Sequence, residues 1–412
     1  MKMAFPDNTD LPNPNVRRRL LDGRWIIVLL LIAYAAIWNY YDQKFGWVDA
    51  WRHMRVAAMT PTMIDMRGML GAFQNYRDGV SMEEIQNPAA GSQMVSFTYP
   101  ETWMLFAPLG LTEAITKPLT IGVTIACIAA GLWFVGPLSI LDGFIYGLIT
   151  VSPSLMLGVE RGNGDLFIFL LVIAACVLVA MRGIVPRVIG YLLFLFGGAL
   201  KIYPVAGLAT ALKSWKTAII GVLCGLLFMA FVFVDRTDLR RVNAYTSRDA
   251  SHSFGARVFT EAEDLPAIYG LGAAAAVMLV AALWAWTSKS GLKMEDNRFG
   301  TAFLACCAMF AVCFFIGSNY VYRFRFFLLI LPQALIWARQ RSRPAIVLCA
   351  CMFLTVFASN EPRLLALSEP LNWTIFLLTM YYLLRSLFGY LKQFLHLHNE
   401  TDEPEAEYLQ PS

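Results

Sequence analysis

Four short stretches of this chain combine carboxylates or cations with apolar surroundings. They are Asp65, Glu160–Asp165, Lys201 and Arg323–Arg325. A carboxylate can take a proton from a reacting hydroxyl, and lysine or arginine can bind an oxyanion such as a phosphate. Ionisable groups at membrane depth are unfavourable by roughly 2.5–3.5 kcal/mol each, so those inside apolar runs are functional candidates.

Each stretch also has a purely structural interpretation. Glu160–Asp165 fits a hairpin turn with an internal ion pair, and Asp65 fits the N-cap of a helix. Arg323–Arg325 fits an interfacial anchor among aromatic residues. Lys201 could extend its ammonium group to the membrane surface, although thirteen uncharged residues precede it and eleven follow. These alternatives stay open at the level of single residues.

The elements that must position these residues are apolar helices. The chain has 412 residues, of which 58% are hydrophobic and 15% charged, whereas a soluble domain is roughly 45–50% apolar and about 25% charged. This composition excludes a single soluble globule, a disordered chain and a nucleic-acid-binding module. It predicts an all-α polytopic membrane protein with about twelve transmembrane helices, because runs such as 217–234 match the ~20 residues that cross a bilayer.

The charges and breaks between apolar runs predict the topology. Arginines before the first run indicate a cytoplasmic N-terminal segment over 1–24. A transmembrane domain over 25–390 follows, with outer loops at about 42–97 and 235–266, and then an acidic, disordered cytoplasmic tail over 391–412. The protein is expected in the plasma (cell inner) membrane, with both termini cytoplasmic.

Two segments decide which polar residues share a face. Residues 187–216 are predicted to be two short helices that meet at Lys201. Residues 98–111 either span the membrane or lie in its interface, and the interfacial arrangement gathers the unusual polar residues on the outer face. Asp65 begins a predicted amphipathic surface helix, whose apolar residues recur at helical spacing. Those apolar residues are Met66, Met69, Leu70 and Phe73.

Five motifs in this order resemble those of the GT-C membrane glycosyltransferases. The resemblance is greatest to glycosyltransferase family 87, the polyprenyl-phosphate-mannose-dependent mannosyltransferase-like proteins, and it covers about residues 60–335. The motifs are Asp65 through Gly79, FTYPETWMLFAPLGL over Phe97–Leu111, ERGNGD from Glu160, Lys201-x-Tyr203-Pro204 and the cluster Asn319–Arg325. Two positions depart from the family pattern: Glu101 replaces the second proline, and the usual Gln beside Asn163 is absent.

The resemblance implies a GT-C-like fold and an inverting glycosyl transfer at the outer face of the membrane. The donor would be a sugar on a polyprenyl phosphate, mannose or a related hexose or pentose. The acceptor would be a hydroxyl of a glycolipid or glycan. Asp65 matches the family's catalytic Asp and is the expected general base. The expected donor-phosphate ligands are Arg161, Lys201, Arg323 and Arg325. The residues expected to bind sugar or acceptor, or to orient the base, are Tyr99, Glu101, Glu160, Asn163, Asp165, Tyr203, Asn319 and Tyr320.

Other function classes stay open. An O-antigen-polymerase-like or ligase-like enzyme would share the lipid-linked donor and the long outer loops. A lipid or solute transporter would place pairs of charges in the middle of helices in both halves, whereas here the charges lie where apolar runs end. No cofactor and no metal motif is expected, although the carboxylates leave a divalent ion possible. The bilayer is an expected partner, and nucleic acid is not.

Overall fold

The computed structural model describes residues 22–88, 96–245, 252–288, 294–316 and 319–400, and these residues are almost entirely helical. The first α-helices in this part of the chain are α1 (Arg24–Phe45), α2 (Trp47–His53), α3 (Ile64–Arg77), α4 (Met82–Gln86), α5 (Thr116–Val135), α6 (Ile140–Thr150), α7 (Pro153–Glu160), α8 (Asp165–Ala180) and α9 (Ile184–Leu200). The later ones are α10 (Trp215–Val234), α11 (Arg236–Tyr245), α12 (Val258–Ala262), α13 (Ala267–Thr287), α14 (Arg298–Ile316), α15 (Phe327–Arg339), α16 (Arg343–Ala358) and α17 (Leu365–Glu400).

Short 3₁₀ helices and one small sheet complete the described structure. The 3₁₀ helices are Glu101–Leu109, Glu113–Ile115, Tyr203–Lys213, Val321–Phe326 and Pro362–Leu364. Strands β1 (Ser253–Phe254) and β2 (Asn319–Tyr320) pair antiparallel, with Ser253 opposite Tyr320. The sheet therefore ties the segment before α12 to the segment before α15.

Seven helical segments among the described residues are long and apolar enough to cross a membrane. They are Arg24–Phe45, Glu113–Val135, Trp215–Val234, Ala267–Thr287, Arg298–Phe315, Val321–Arg339 and Ala366–Lys392. Helices α6 and α7, bent by 49° at a short break, would make an eighth span, and α8, α9 and α16 are shorter apolar helices. The protein is thus an all-α, multi-pass membrane protein, as predicted.

Burial separates the helices of the core from those of the periphery. The spanning window of α14 is 72% buried, whereas that of α10 is 17% buried. Helix α10 exposes Leu223, Leu226 and Met229, although it carries no charge between Thr217 and Val234. A helix that is apolar all round and still exposed suits a lipid environment. The peripheral helices therefore surround a core in which α14 is central.

The chain breaks at Lys201, as predicted. Helix α9 ends at Leu200, and the 3₁₀ helix that begins at Tyr203 packs back against it. Pro204 lies in the first turn of the second element. Gly198 allows the two elements to approach closely, because a Cβ there would lie 2.9 Å from the Cβ of Val205. Lys201 is 8% exposed, so the interpretation of a lysine reaching to the membrane surface is wrong.

The first polar loop holds the predicted amphipathic helix, and a short 3₁₀ helix follows in the segment 98–111. Helix α3 buries Met66, Met69, Leu70 and Phe73, which confirms its apolar face. The 3₁₀ helix Glu101–Leu109 has nine residues and, at a rise of about 2 Å per residue, is roughly 18 Å long. The hydrocarbon core of a bilayer is about 30 Å thick, so this helix is too short to span it.

Both predicted terminal segments lie partly outside the described residues. Residues 1–21 of the predicted N-terminal segment and 401–412 of the predicted tail belong to those parts. Helix α17 continues to Glu400, past the predicted start of the tail at residue 391. Apolar residues recur at helical spacing through Leu387, Leu391 and Leu395, and this pattern favours continuation of the helix.

Candidate active site

Residues from five separate elements converge on one polar cluster. We use "polar cluster" for Asp65, Tyr99, Asn163, Asp165, Lys201, Tyr203 and Arg323. Asp65 lies in the first turn of α3, Asn163 and Asp165 lie at the start of α8, and Lys201 follows α9. Each of the five motifs in the family resemblance supplies at least one residue of the cluster. The structure therefore brings these polar residues together, as the sequence predicted.

Asn163 is the centre of the cluster and contacts four other residues. Its Nδ2 donates to the carboxylate of Asp65 and, at 3.2 Å, to the hydroxyl of Tyr99. Its Oδ1 accepts from Lys201 Nζ at 3.0 Å and from the backbone N–H of Asp165 at 2.9 Å. Rotating the amide by 180° would set its NH₂ against two donors and its oxygen against a carboxylate. The network thus fixes Asn163 in the orientation that holds Asp65.

Asp165 is fully buried and binds two cations. Its Oδ1 accepts from Lys201 Nζ at 2.5 Å and from the Tyr203 hydroxyl at 2.9 Å. Its Oδ2 accepts from Arg323 Nε at 3.4 Å. Lys201 also lies over the ring of Tyr99, 4.8 Å from its centroid, which adds a cation–π contact. Buried charges need such partners. Asp165 therefore pairs with Lys201 and Arg323 and not with Arg161 of the same turn, and Arg323 is more than an interfacial anchor.

Two glycines allow the ERGNGD turn to lie against α3. Gly162 has a φ of +60°, and a Cβ there would lie 2.7 Å from the Cβ of Met66. At Gly164 a Cβ would lie 3.2 Å from the Trp103 ring. The close approach lets the carbonyl of Arg161 accept from the backbone N–H groups of Asp65 and Met66, at 3.0 and 3.3 Å. These contacts satisfy donors that every helix start leaves unpaired.

Asp65 does not cap its helix. The N-cap residue is Met63, which makes no side-chain cap, so the interpretation of Asp65 as a simple N-cap is wrong. Asp65 is half-buried. Burial raises its pKa above the ordinary value, while Arg161, the hydrogen bond from Asn163 and Lys201 oppose the rise. A carboxylate with a raised pKa that stays partly accessible has the properties of a general base.

Arg161 lies beside Asp65 and is oriented by an aromatic ring. Its guanidinium carbon is 4.7 Å from the ring centroid of Tyr320, and that ring stacks on Tyr322 at 5.5 Å. Within the described part of the chain, Arg161 Nε has no hydrogen-bond partner. Tyr320 belongs to β2, so its pairing with β1 brings part of the predicted outer loop 235–266 next to Arg161. Arg161 therefore has a free donor close to the Asp65 carboxylate.

Two predicted site residues are buried outside the polar cluster. Arg325 is 5% exposed and donates from Nη2 to the carbonyl of Leu155 at 3.2 Å. Glu160 is fully buried, and its Oε1 accepts from the backbone N–H of Met59 at 3.2 Å. Its other oxygen, Oε2, has no hydrogen-bond partner among the described residues. Both residues thus retain unused polar atoms.

Glu101 and Asn319 are also separate from the cluster. Glu101 is exposed, and its backbone N–H donates to Asp238 Oδ2 at 2.9 Å. Asn319 directs its Nδ2 to the carbonyl of Cys313 and thereby joins β2 to the end of α14. The structure gives both of them backbone contacts that hold the surrounding segments in place.

The structure adds three residues that the sequence did not single out for the site. Tyr322 stacks on Tyr320 and lies 5.9 Å from Lys201 Nζ. Trp103 donates from Nε1 to the carbonyl of Leu200, at 3.0 Å, just before the break. Asp238 of α11 accepts from Gln86 at 2.6 Å as well as from Glu101. The alternation of Tyr320 and Tyr322 could have indicated a paired aromatic site, whereas nothing in the sequence distinguishes Asp238.

No group of three or more His, Cys, Asp or Glu residues within the described ranges is arranged to hold a metal ion. The carboxylate of Asp65 accepts from Asn163 Nδ2, whereas the carboxylate of Asp165 accepts from Lys201 and Arg323. The arrangement directs Asp165 toward protein cations and leaves Asp65 as the carboxylate available to a substrate.

No protein-family model, curated protein or solved structure matches this chain. The function must therefore be inferred from the chemistry of the polar cluster.

Proposed function

We propose that the chain is an inverting membrane glycosyltransferase. It moves a sugar from a polyprenyl-phosphate-linked donor to an acceptor hydroxyl at the outer face of the plasma (cell inner) membrane. The observation that carries this proposal is a half-buried carboxylate, Asp65, held by Asn163 beside a cation with a free donor, Arg161. In this proposal the helices form a GT-C-like fold with about twelve spans and cytoplasmic termini.

The geometry of Asp65 supports its role as general base. Asn163 binds Oδ2, and Oδ1 has no hydrogen-bond partner within the described residues. An acceptor hydroxyl can bind Oδ1 and transfer its proton there as its oxygen attacks the anomeric carbon. Attack from the side opposite the phosphate inverts the configuration at that carbon.

The leaving group is a phosphate ester anion, which needs positive charge more than it needs a proton. Arg161 has an unused Nε and a guanidinium plane fixed by Tyr320, so it is the best placed donor-phosphate ligand. Lys201 and Arg323 are already bound to Asp165. We assign them to positioning: they hold Asp165 and Asn163, and Asn163 holds Asp65.

The sugar and acceptor would lie next to the aromatic residues, one of which belongs to the β1–β2 pair. The stacked Tyr320 and Tyr322 border Arg161 on one side. The β1 strand places the 252–266 part of the predicted outer loop next to the same residues. In this arrangement, that part of the loop covers the acceptor when it binds.

A reconstitution experiment tests the proposal. The purified protein in liposomes is given radiolabelled polyprenyl-phosphate mannose and an extract of membrane glycolipids as acceptors. We expect labelled mannose in the glycolipid fraction, stoichiometric release of polyprenyl phosphate, and an anomeric configuration opposite to that of the donor. Intact recovery of the mannose donor and of matched hexose and pentose donors would contradict the proposal.

A lipid or solute transporter is the second candidate, and Glu160 favours it. Its buried Oε2 has no partner among the described residues, and a carboxylate of this kind is typical of proton-coupled carriers. The same liposomes distinguish the two functions. A transporter would move the labelled lipid or sugar across the bilayer without breaking the bond between sugar and phosphate.

A further inference from the structure

A second buried polar group lies in the hairpin formed by α16 and α17, outside the residues 60–335 of the family resemblance. The carboxylate of Glu369 has both oxygens buried, and neither has a hydrogen-bond partner within the described ranges. Asn372 and Trp373 approach it, but neither makes a hydrogen bond of normal geometry with it. No lysine, arginine or histidine in the described part of the chain pairs with Glu369.

A chain of hydrogen bonds beside Glu369 fixes the orientation of its neighbours. Thr355 donates from Oγ1 to Asn372 Oδ1 at 2.8 Å. This bond uses the only hydroxyl proton of Thr355, so Ser359 is the donor in its 3.0 Å contact with Thr355. Ser359 Oγ therefore keeps lone pairs for a further partner, and Asn372 turns its NH₂ toward Glu369.

The register of the hairpin brings Ser359 level with Glu369. Thr355 contacts Asn372, and Ser359 lies four residues after Thr355, one helical turn closer to the loop. In the antiparallel α17, Glu369 lies three residues before Asn372 and is also about one turn closer to the loop. Asn360 follows Ser359 and is 6% exposed, and its Oδ1 has no hydrogen-bond partner among the described residues. The loop end of the hairpin thus contains three buried oxygens that receive no hydrogen bond.

The surrounding helices do not offset the charge of this carboxylate. The C-terminal end of α16, which carries the partial negative charge of the helix dipole, lies at the same end of the hairpin. Glu369 is the fifth residue of α17, whereas the unpaired N–H groups of a helix start lie in its first turn. A buried carboxylate without a counter-charge costs several kcal/mol. The carboxylate therefore requires a positively charged partner from outside the chain.

We propose that the hairpin binds an alkali-metal cation between Glu369 and Ser359. Asn360 Oδ1 and carbonyls at the end of α16 are the further oxygens at this level, and carbonyls at helix C-terminal ends coordinate Na⁺ in membrane transporters. One carboxylate among neutral oxygens balances a single positive charge, whereas Ca²⁺ and Mg²⁺ prefer more carboxylates or retain waters. A proton would satisfy at most two of these oxygens. The site exists whether or not the protein transfers sugars.

The same hairpin end holds the first polar loop. Asn360 Nδ2 donates to the carbonyl of Arg55, and Glu361 pairs with Arg55 at 3.2 Å. The segment continues to Met59, whose backbone N–H donates to Glu160. Cation binding therefore stabilises the contact between the hairpin and the segment that precedes α3.

The test is thermal unfolding of the full-length protein in phosphatidylcholine nanodiscs at pH 8. Choline chloride is replaced stepwise by NaCl or KCl at constant ionic strength. We expect Na⁺ or K⁺ to raise the Tm saturably by at least about 3 °C, because the ion binds only the folded state. Glu369→Gln keeps the size of the side chain and removes its charge, so it should abolish this rise.

Glu361→Gln is the matched control. It makes the same change in a nearby carboxylate that already has a protein partner, Arg55, and it should retain the rise in Tm. Ser359→Ala keeps the charge of Glu369 and removes one ligand. It should increase the cation concentration at half-saturation at least about fivefold, and it tests the site even if Glu369→Gln does not fold.

Three results would overturn the proposal. The first is the same Tm of the wild-type protein in choline chloride, NaCl and KCl. The second is a wild-type rise in folded Glu369→Gln or a wild-type half-saturation in Ser359→Ala. The third is a rise that CaCl₂ produces and that neither NaCl nor KCl produces, because it would contradict the assignment of a monovalent ion.

Discussion

Arg323 and Arg325 are two residues apart in one 3₁₀ helix, yet their surroundings are opposite. Arg323 pairs with Asp165 at 3.4 Å and lies over the ring of Tyr203, 4.8 Å from its centroid. Arg325 donates a hydrogen bond to one backbone carbonyl and lines an apolar pocket. The family resemblance implies the same role, that of donor-phosphate ligand, for both. The structure shows that one cation is compensated by the protein and that the other retains unused donors.

This difference shows how to interpret buried charge in the molecule. A charge that the protein itself compensates holds other groups in place, and a charge that it leaves uncompensated is available to a ligand. By this criterion we propose that Lys201 and Arg323 position other groups, and that Arg161 and Arg325 are the cations available to a ligand. Their variants should therefore change different measured quantities.

The largest effect on stability is expected from Asp165→Asn. The change leaves Lys201 and Arg323 buried without a carboxylate, and breaking a buried ion pair costs about 3–5 kcal/mol. Thermal and chemical unfolding in detergent should show this decrease in the free energy of unfolding. Asp49→Asn is the matched control, because the Asp49–Arg52 pair is exposed and such pairs contribute about 0–1 kcal/mol. Equal stability of the two variants would mean that the cluster does not hold the fold together.

Arg323→Met and Arg325→Met test the comparison directly. Arg323→Met removes a charged hydrogen bond to a buried carboxylate and should lower the free energy of unfolding by about 1–3 kcal/mol. Arg325→Met removes an uncompensated charge from an apolar pocket and should leave the stability of the lipid-free protein unchanged or increase it. Chemical unfolding of both variants in the same neutral detergent measures the two changes in the free energy of unfolding. A larger loss in Arg325→Met than in Arg323→Met would reverse the assignment.

The smallest expected effect is a shift in the pH dependence of transfer. The base must be ionised, so activity should fall as the pH drops through the pKa of Asp65, which burial raises. Arg161 favours the ionised form, and Arg161→Met should move this acid limb upward by about 1 pH unit. Rates of the variant between pH 4 and 8, normalised to its own maximum, measure the shift. An unchanged or lower midpoint would show that Arg161 does not act on the base.

The sequence predicted the elements better than the contacts. Lys201 and Pro204 predicted a break in this apolar run. A charge at membrane depth is unfavourable in a lipid-exposed span, and a proline in a helix interior removes a backbone hydrogen bond and clashes with the preceding turn. The apolar residues after Asp65 recur at helical spacing and predicted α3, because this spacing places them on one face of a helix. Local patterns of this kind are fixed by residues a few positions apart.

The pairing of charges could not be predicted in this way. The partners of Asp165 are distant along the chain: Lys201 is 36 residues away and Arg323 is 158 residues away. No local sequence pattern specifies such partners. The same limit applies to Arg325, since the sequence contains no sign that α7 and α5 leave a pocket in front of it. Which cation is compensated depends on packing between distant helices.

The central claim is that Asp65 is the base of a glycosyl transfer, and the rate of Asp65→Asn tests it most directly. Single-turnover transfer from polyprenyl-phosphate mannose to the glycolipid extract is compared for wild type, Asp65→Asn and the exposed control Asp49→Asn, at equal protein and equal Tm. The account predicts a loss of about 10²–10⁴-fold in Asp65→Asn and none in Asp49→Asn. A wild-type rate in folded Asp65→Asn would contradict it.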